Sequence, residues 1–180
     1  LSQIVIVSSD DRAEKIARIS DVEYLREDSD SGVNAAISRA DDYSCEMGAD
    51  ATIVIPQDLP LLTNSALDAI CRKAEGQERC LVICPSIRYD GSNALLRRPS
   101  DLMRTSYDND SFNAHLRLAK KLKVALNVFL SDRIMIDLDT IEDVRIVIER
   151  RTANCPVAYL KSKARDAMIA RTQIMRRLLK

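Results

Sequence analysis

The chain has 180 residues, 46% of them hydrophobic and 30% charged, which suits one domain with a full-sized core. Lys plus Arg and Asp plus Glu number 27 each, so the formal net charge is +0, which argues against a nucleic-acid binder that relies on bulk electrostatics. No run approaches the ~18 consecutive apolar residues of a membrane span, and the opening residues lack the basic start of a signal peptide, so a cytoplasmic protein is expected.

Taken in order, Ile4-Val5-Ile6-Val7 reads as a buried strand, and Ser8-Ser9-Asp10 as the cap of a short helix over residues 11–19. A second short strand is predicted at 22–25, then an acidic loop, then a helix over 33–47. Residues 51–55 form the next strand, 64–74 its helix, and 81–84 a third confident strand. Strand and helix alternating at this spacing imply right-handed crossovers and a mainly parallel, Rossmann-like sheet in a three-layer α/β/α domain. The rhythm then breaks. A long loop with Asp90-Gly91 leads to a short strand at 94–97, and Ser111 caps a helix running to about 122. Strands are predicted at 124–130 and 133–138. The insertion between the third strand and Val124 is expected to build a lobe over the sheet.

The last twenty residues carry Lys161, Lys163, Arg165, Arg171, Arg176, Arg177 and Lys180 against Asp166 alone. A solvated helix packed on the domain is the bland reading of this tail; a basic lip for phosphates and a homodimer contact are the sharper ones. Cys45, Cys71, Cys80, Cys84 and Cys155 are odd in number and most sit in apolar runs, so all five are read as buried, reduced thiols. With one histidine and no Cys-x-x-Cys pair, a zinc site is not expected.

Three carboxylates carry the functional signal. Asp137 and Asp139 close the run Ile134-Met135-Ile136-Asp137-Leu138-Asp139, and Asp58 follows the strand ending Ile53-Val54-Ile55. Side chains two apart on a strand point the same way, so Asp137 and Asp139 can converge on one ion. Ligands of open α/β sheets bind beyond the carboxyl ends of the strands, and clustered carboxylates there suit Mg²⁺ among waters and phosphates. The competing reading is that these acids cap helices, Asp139 before Thr140 above all. Gly91 lets backbone approach an anion without a Cβ in the way. The amides from Gly91 to Asn93 can form an anion nest, and those after Ser111 a helix N-terminus. His115 reads as a hydrogen-bonded structural histidine, and Tyr107 and Phe112 as packing residues. Arg88, Arg97, Arg98 and Arg104 are expected mostly in solvent, with one or two free to clamp phosphate.

Four strings recur in order: Val54-Ile55-Pro56-Gln57-Asp58-Leu59-Pro60-Leu61-Leu62, Asp90-Gly91-Ser92-Asn93-Ala94-Leu95-Leu96, Tyr107-Asp108-Asn109-Asp110-Ser111-Phe112, and Ile136-Asp137-Leu138-Asp139-Thr140. Together they resemble the 2-phospho-L-lactate guanylyltransferase family of coenzyme F-420 biosynthesis. That family has the glycosyltransferase-A-type nucleotidyltransferase fold, shared with the molybdenum-cofactor guanylyltransferases. The resemblance implies a transfer of GMP from GTP to 2-phospho-L-lactate, phosphoenolpyruvate or 3-phosphoglycerate, with release of pyrophosphate. It implies that Asp58, Asp137 and Asp139 hold two Mg²⁺ ions. It places Ser92, Asn93 and Ser111 near the acceptor phosphate, and Asn34, in Val33-Asn34-Ala35-Ala36, near the nucleotide. Asp108 stands where the family usually has Gly, which bears on acceptor identity. The family's basic N-terminal segment, which wraps the triphosphate, is absent from the sequence, and a further strand and loop are expected before Leu1. Another nucleotidyltransferase of the fold, an Asp-x-Asp phosphatase and a non-catalytic nucleotide-binding protein remain as alternatives.

Overall fold

The structure is a computed structural model that describes residues 2–149. The basic tail and Cys155 lie outside the described residues. Strand β1 (Val5–Ser8) pairs in parallel with β2 (Glu23–Arg26), and helix α1 (Asp11–Ser20) makes the crossover that a parallel pair requires. Asp10 caps α1 as the sequence predicts, its carboxylate accepting the Arg12 amide at 2.8 Å. Helix α2 (Val33–Glu46) follows Gly32, whose φ of 87° suits a residue without a Cβ.

A second sheet carries the core. Its order is β3 (Thr52–Val54), β5 (Ser92–Arg98), β4 (Cys80–Pro85) and β6 (Ala125–Val128). β4 and β6 are parallel, while β5 runs antiparallel to both β3 and β4. Three strands therefore point one way and β5 alone opposes them. β4 is buried along its whole length. Cys80, Val82 and Cys84 face helix α3 (Asn64–Arg72) through Ala66 and Ile70. Leu81 and Ile83 face helix α4 (Ser111–Leu122) through Phe112 and Ala119. A strand covered on both faces reads as an unbroken apolar run, which is why this element is plain in the sequence. Each such side chain stabilises the fold by about 1.5–3 kcal/mol. The three-layer α/β/α reading holds.

Four expectations need correction. The strand at 94–97 does not belong to a lobe above the sheet; β5 is wedged between β3 and β4 at its centre, with Ser92 to Arg97 buried. Residues 133–138 do not form a strand. Both edges of β4 are taken by β5 and β6, and the Ser131 carbonyl accepts the amides of Ile134 and Met135 in a turn instead. Cys45 is exposed and Cys71 half-buried, so only Cys80 and Cys84 are buried thiols among the described residues.

The fourth concerns the arginines. Arg97 is 0% exposed and holds Asp41 of α2 through two contacts of 2.6 and 2.5 Å. It also donates to Thr52 of β3 and to the Met103 carbonyl. It is a structural clamp and not a phosphate ligand. Arg98 donates to the Ala74 carbonyl at 3.2 Å, and Arg104 is exposed.

Two apolar anchors aim the acidic residues. Ile136 and Leu138 pack with Leu61 and with Val147 of helix α5 (Ile141–Glu149). The alternation in Ile136-Asp137-Leu138-Asp139 survives without a ladder, and Asp137 and Asp139 line the opposite side. Leu59 and Leu62, packed against the α3 side of the core, seat the turn that carries Asp58. Among the described residues no helix is long and apolar enough to cross a membrane.

Candidate active site

One cavity of about 440 Å³ opens beyond the ends of β3 and β4. Its wall includes Asp58, Gly91, Ser92, Asn93, Ser111, Asp137 and Asp139, so all but one of the predicted site residues share a single space. Asp90, Asp108 and Asp110 complete a ring of six aspartates, and among the described residues no Lys, Arg or His lines it. Such a pocket repels an anion unless cations join it.

The carboxylates are not alike. Asp137 is 8% exposed, and its Oδ1 is buried without a hydrogen-bond partner. Burial raises its pKa above the ordinary carboxylate value, and the negative Asp139 adds to the rise. Asp58 Oδ1 is likewise buried and unpartnered. Asp139 is exposed and accepts from Arg88 Nη2 at 2.6 Å. The same guanidinium stands 3.7 Å from Asp137 Oδ1 and 3.4 Å from Asp143 Oδ1. Arg88 rides on the β4–β5 loop, where the Ile87 amide donates to the Met135 carbonyl. It is an internal counter-ion, held over carboxylates whose attraction raises its own pKa against the effect of burial.

Helix capping does not explain Asp139. The Thr140 hydroxyl accepts the Asp143 amide, and Asp143 Oδ2 accepts the Thr140 amide at 2.7 Å, a reciprocal capping box. The start of α5 is satisfied by that pair, which leaves the Asp139 side chain to the cavity rim and Arg88.

The opposite wall is built from hydroxyls. The Ser92 amide donates to Ser111 Oγ at 3.0 Å, and Ser111 Oγ donates to Ser92 Oγ at 3.3 Å. His115 Nδ1 lies 2.9 Å from Ser92 Oγ, while its Nε2 accepts the Ser106 amide at 3.0 Å. The Asn93 amide group donates to the Ile134 carbonyl at 3.0 Å and so ties β5 to the segment bearing Asp137.

His115 carries the first testable expectation. Burial lowers its pKa from the ordinary 6.5 to about 4. As pH falls through 6.5 the unfolded chain takes up a proton that the folded chain refuses until about pH 4. Stability is therefore untouched above the unfolded value and declines through that window, by about 3 kcal/mol in total. Urea denaturation at pH 7.5 and 4.5 measures it, and His115→Gln removes this component.

A family model described as "Guanylyl transferase CofC like" matches residues 1–179. The chain belongs to the CofC-like guanylyltransferase family. It is 28% identical to phosphoenolpyruvate guanylyltransferase of Conexibacter woesei over 80% of this chain and 65% of that protein. It is 33% identical to the Rubrobacter xylanophilus enzyme of the same name, over 80% of this chain and 69% of that protein. Identity to 2-phospho-L-lactate guanylyltransferase of Methanocaldococcus jannaschii is 30%, over 91% of this chain and 70% of that one. The chain thus spans about two thirds of the length of these curated relatives. Two solved structures share the fold: a Desulfovibrio desulfuricans protein whose description names a nucleotide-diphospho-sugar transferase and a cytidylyltransferase from Leptospira borgpetersenii. The first has TM-score 0.70 at 12% identity, covering 94% of this chain and 76% of that one. The second has TM-score 0.57 at 18% identity, covering 91% and 76%.

Within this CofC-like frame the donor set fits Mg²⁺. Asp58 and Asp137 each present on one cavity a buried carboxylate oxygen that has no hydrogen-bond partner. Among the described residues no three carboxylate, imidazole or thiol groups are gathered ready to hold an ion. Mg²⁺ does not require that; it takes one or two carboxylates and completes its shell with waters and phosphates.

Two predicted ligands have other partners. Asn34 does not line the cavity. Its Oδ1 accepts the Tyr107 amide at 2.8 Å and its Nδ2 donates to Asp108 at 3.3 Å, so it holds the loop that carries Asp108. The Gly91 amide donates to Ser86 Oγ, and the Ser92 amide is already spent on Ser111, so the amide nest expected at Gly91–Asn93 is largely filled from within. Gly91 matters for close packing: a Cβ there would lie 3.3 Å from the Ser86 Cβ. Sequence reasoning missed the role of Arg88 and the engagement of His115 with Ser92. The signal for the first was a lone Arg two residues before Asp90. The signal for the second was a histidine one turn after Ser111.

Proposed function

We propose that the protein carrying this chain is a Mg²⁺-dependent guanylyltransferase that joins GTP to a phosphorylated three-carbon acid, in the making of coenzyme F-420. The observation that carries the reading is the single cavity uniting Asp58, Asp137 and Asp139 with Ser92, Asn93 and Ser111, from four stretches far apart in the sequence. The relatives' names, phosphoenolpyruvate and 2-phospho-L-lactate guanylyltransferase, supply the acceptors to try first.

The chemistry suits such a site. A phosphate monoester carries about −1.5 to −2 charge near neutral pH. It is already a nucleophile and needs no general base. An acceptor phosphate oxygen attacks the α-phosphorus of GTP, the α–β bridging bond breaks, and pyrophosphate leaves with the electron pair. What the protein must provide is alignment and charge screening. Bound Mg²⁺ would supply that screening, with Asp58, Asp137 and Asp139 to hold it. The hydroxyl wall, Ser92 and Ser111, faces the acceptor across the cavity. His115 needs no acid–base role, and its lowered pKa leaves it neutral at working pH. The buried free thiols Cys80 and Cys84 suit a reducing compartment such as the cytoplasm.

The test is pyrophosphate release from GTP and Mg²⁺ with phosphoenolpyruvate, 2-phospho-L-lactate and 3-phosphoglycerate offered separately. At least one acceptor should give Mg²⁺-dependent release, abolished by EDTA. No release with any of the three would overturn the reading.

A further inference from the structure

Ser92, Ser111 and His115 form a chain of hydrogen bonds in which the protons can be counted. All three side chains are buried, at 3%, 4% and 0% exposure, and both serines line the cavity. The Ser106 amide donates to His115 Nε2 at 3.0 Å, so that nitrogen bears a lone pair. In a neutral imidazole the proton then sits on Nδ1. Nδ1, 2.9 Å from Ser92 Oγ, is therefore the donor of that bond. Ser111 Oγ, which accepts the Ser92 amide, gives its own proton to Ser92 Oγ. Both lone pairs of the Ser92 oxygen are thus occupied. Its remaining group, the O–H proton, has no protein acceptor among these bonds and faces the cavity.

We propose that His115 is a positioning residue that makes Ser92 an obligate hydrogen-bond donor to an oxyanion in the acceptor subsite. This deepens the guanylyl-transfer reading and rests on it for the identity of the oxyanion, a phosphate or carboxylate oxygen of the phosphorylated acid. A serine with a free lone pair can serve a metal, an ammonium or a hydroxyl proton; Ser92 can serve only an acceptor atom. In a cavity ringed by aspartates, one fixed donor on the far wall gives an anionic substrate its orientation, and it does so without a positive charge that would pair with the carboxylates. The lowered pKa of His115 supports the arrangement, because protonating Nε2 would set two donors against each other.

The chain has a single histidine, so ¹⁵N-histidine labelling yields one imidazole signal set and a direct reading of the tautomer. The expected result is a protonated Nδ1 and an unprotonated Nε2 at pH 7. The opposite tautomer, or an imidazolium at that pH, overturns the proposal without any reference to turnover. Acceptor affinity is the second readout, taken as KM and as the calorimetric Kd for phosphoenolpyruvate in the presence of Mg²⁺ and GTP. Ser92→Ala and His115→Leu should each weaken it ~10-fold, the scale of one hydrogen bond to a charged group. KM for GTP should stay within about twofold. His115→Asn, whose amide can donate from the Nδ1 position, should recover most of the loss. The double variant should cost little more than Ser92→Ala alone, because the two act as a unit. Should His115→Leu fail to fold, Ser92→Ala, which removes only a hydroxyl, still decides. Unchanged acceptor affinity in Ser92→Ala, or equal losses for both substrates, overturns the proposal. Absence of turnover by the unaltered protein would instead count against guanylyl transfer, and the tautomer and Kd would still be measurable.

Discussion

Asp137→Asn should lose turnover on the order of 10²–10³-fold while its melting temperature stays level or rises. The two halves of this expectation come from one fact. Asp137 is nearly buried, its Oδ1 has no hydrogen-bond partner, and burial with Asp139 nearby raises its pKa. A carboxylate whose folded pKa is raised is held ionised at neutral pH against its own preference, so it subtracts stability there. An asparagine of the same shape escapes that cost and offers the cavity no negative oxygen. Arg88 loses one neighbour but keeps Asp139 at 2.6 Å and Asp143 at 3.4 Å, so the loop stays anchored. Asp58→Asn should behave alike in turnover, since its Oδ1 is the other carboxylate oxygen buried without a hydrogen bond. Pyrophosphate release at limiting and saturating Mg²⁺, with calorimetric melting in EDTA, measures both halves. Near-normal turnover at limiting Mg²⁺ would show that Asp137 is not a metal ligand. A melting temperature several degrees lower would show that the carboxylate is structural.

Arg88 is coupled to any cation that these carboxylates hold. Its guanidinium already neutralises part of the carboxylate ring. A cation entering beside Asp137 and Asp139 meets a resident positive charge, so cation binding and the position of the Arg88 side chain are linked. The loop that carries Arg88 also carries Asp90, whose pKa is lowered chiefly by the Ser86 hydroxyl at 2.7 Å. One short turn thus holds a cation and an anion 3.8 Å apart at the edge of the cavity.

How much of this the sequence discloses depends on what kind of interaction made each part. β4 was plain because burial on both faces leaves an unbroken apolar run. The Asp137 and Asp139 pair was legible because alternation of apolar and acidic residues fixes facing whether or not a ladder forms. That is also why Asp137 and Asp139 line one cavity although the strand assigned to 133–138 does not form. Antiparallel β5 could not be read as central, since a short apolar segment looks the same at an edge or in the middle of a sheet. The connections that decide its place, to Thr52 in β3 and Asp41 in α2, are long-range and polar. Asn34 was expected at the nucleotide and instead clasps the loop before Asp108, because an amide side chain carries no sign of which of its many partners it will meet. Arg97 shows the same blindness: an arginine beside a second arginine looks like surface, and only the fold shows that it is sealed.

Arg97→Leu should therefore cost about 3–5 kcal/mol of stability, the largest single loss expected away from the cavity. Removing one partner of a buried ion pair leaves the other uncompensated, and here the survivor is Asp41, whose side chain is 20% exposed. The guanidinium also satisfies the Thr52 hydroxyl and the Met103 carbonyl, so three separate segments lose an anchor together. Those segments matter to the site. Asp41 lies on α2, the helix that carries Asn34, and Asn34 Oδ1 accepts from the Thr105 hydroxyl and the Tyr107 amide beside Asp108. Loosening α2 should thus raise KM for the acceptor in whatever fraction of the variant stays folded. Asp41→Asn should cost less than Arg97→Leu, because it keeps the contact and removes only one charge, leaving an arginine that still has Thr52 and Met103. Reversing the pair as Arg97→Asp with Asp41→Arg should not restore stability, since the new acid would face the Met103 carbonyl with no donor. Urea denaturation of the single variants and the exchanged pair measures all of this. An Arg97→Leu variant within about 1 kcal/mol of the parent would mean that Asp41 finds solvent or another donor and that the ion pair does not anchor these segments.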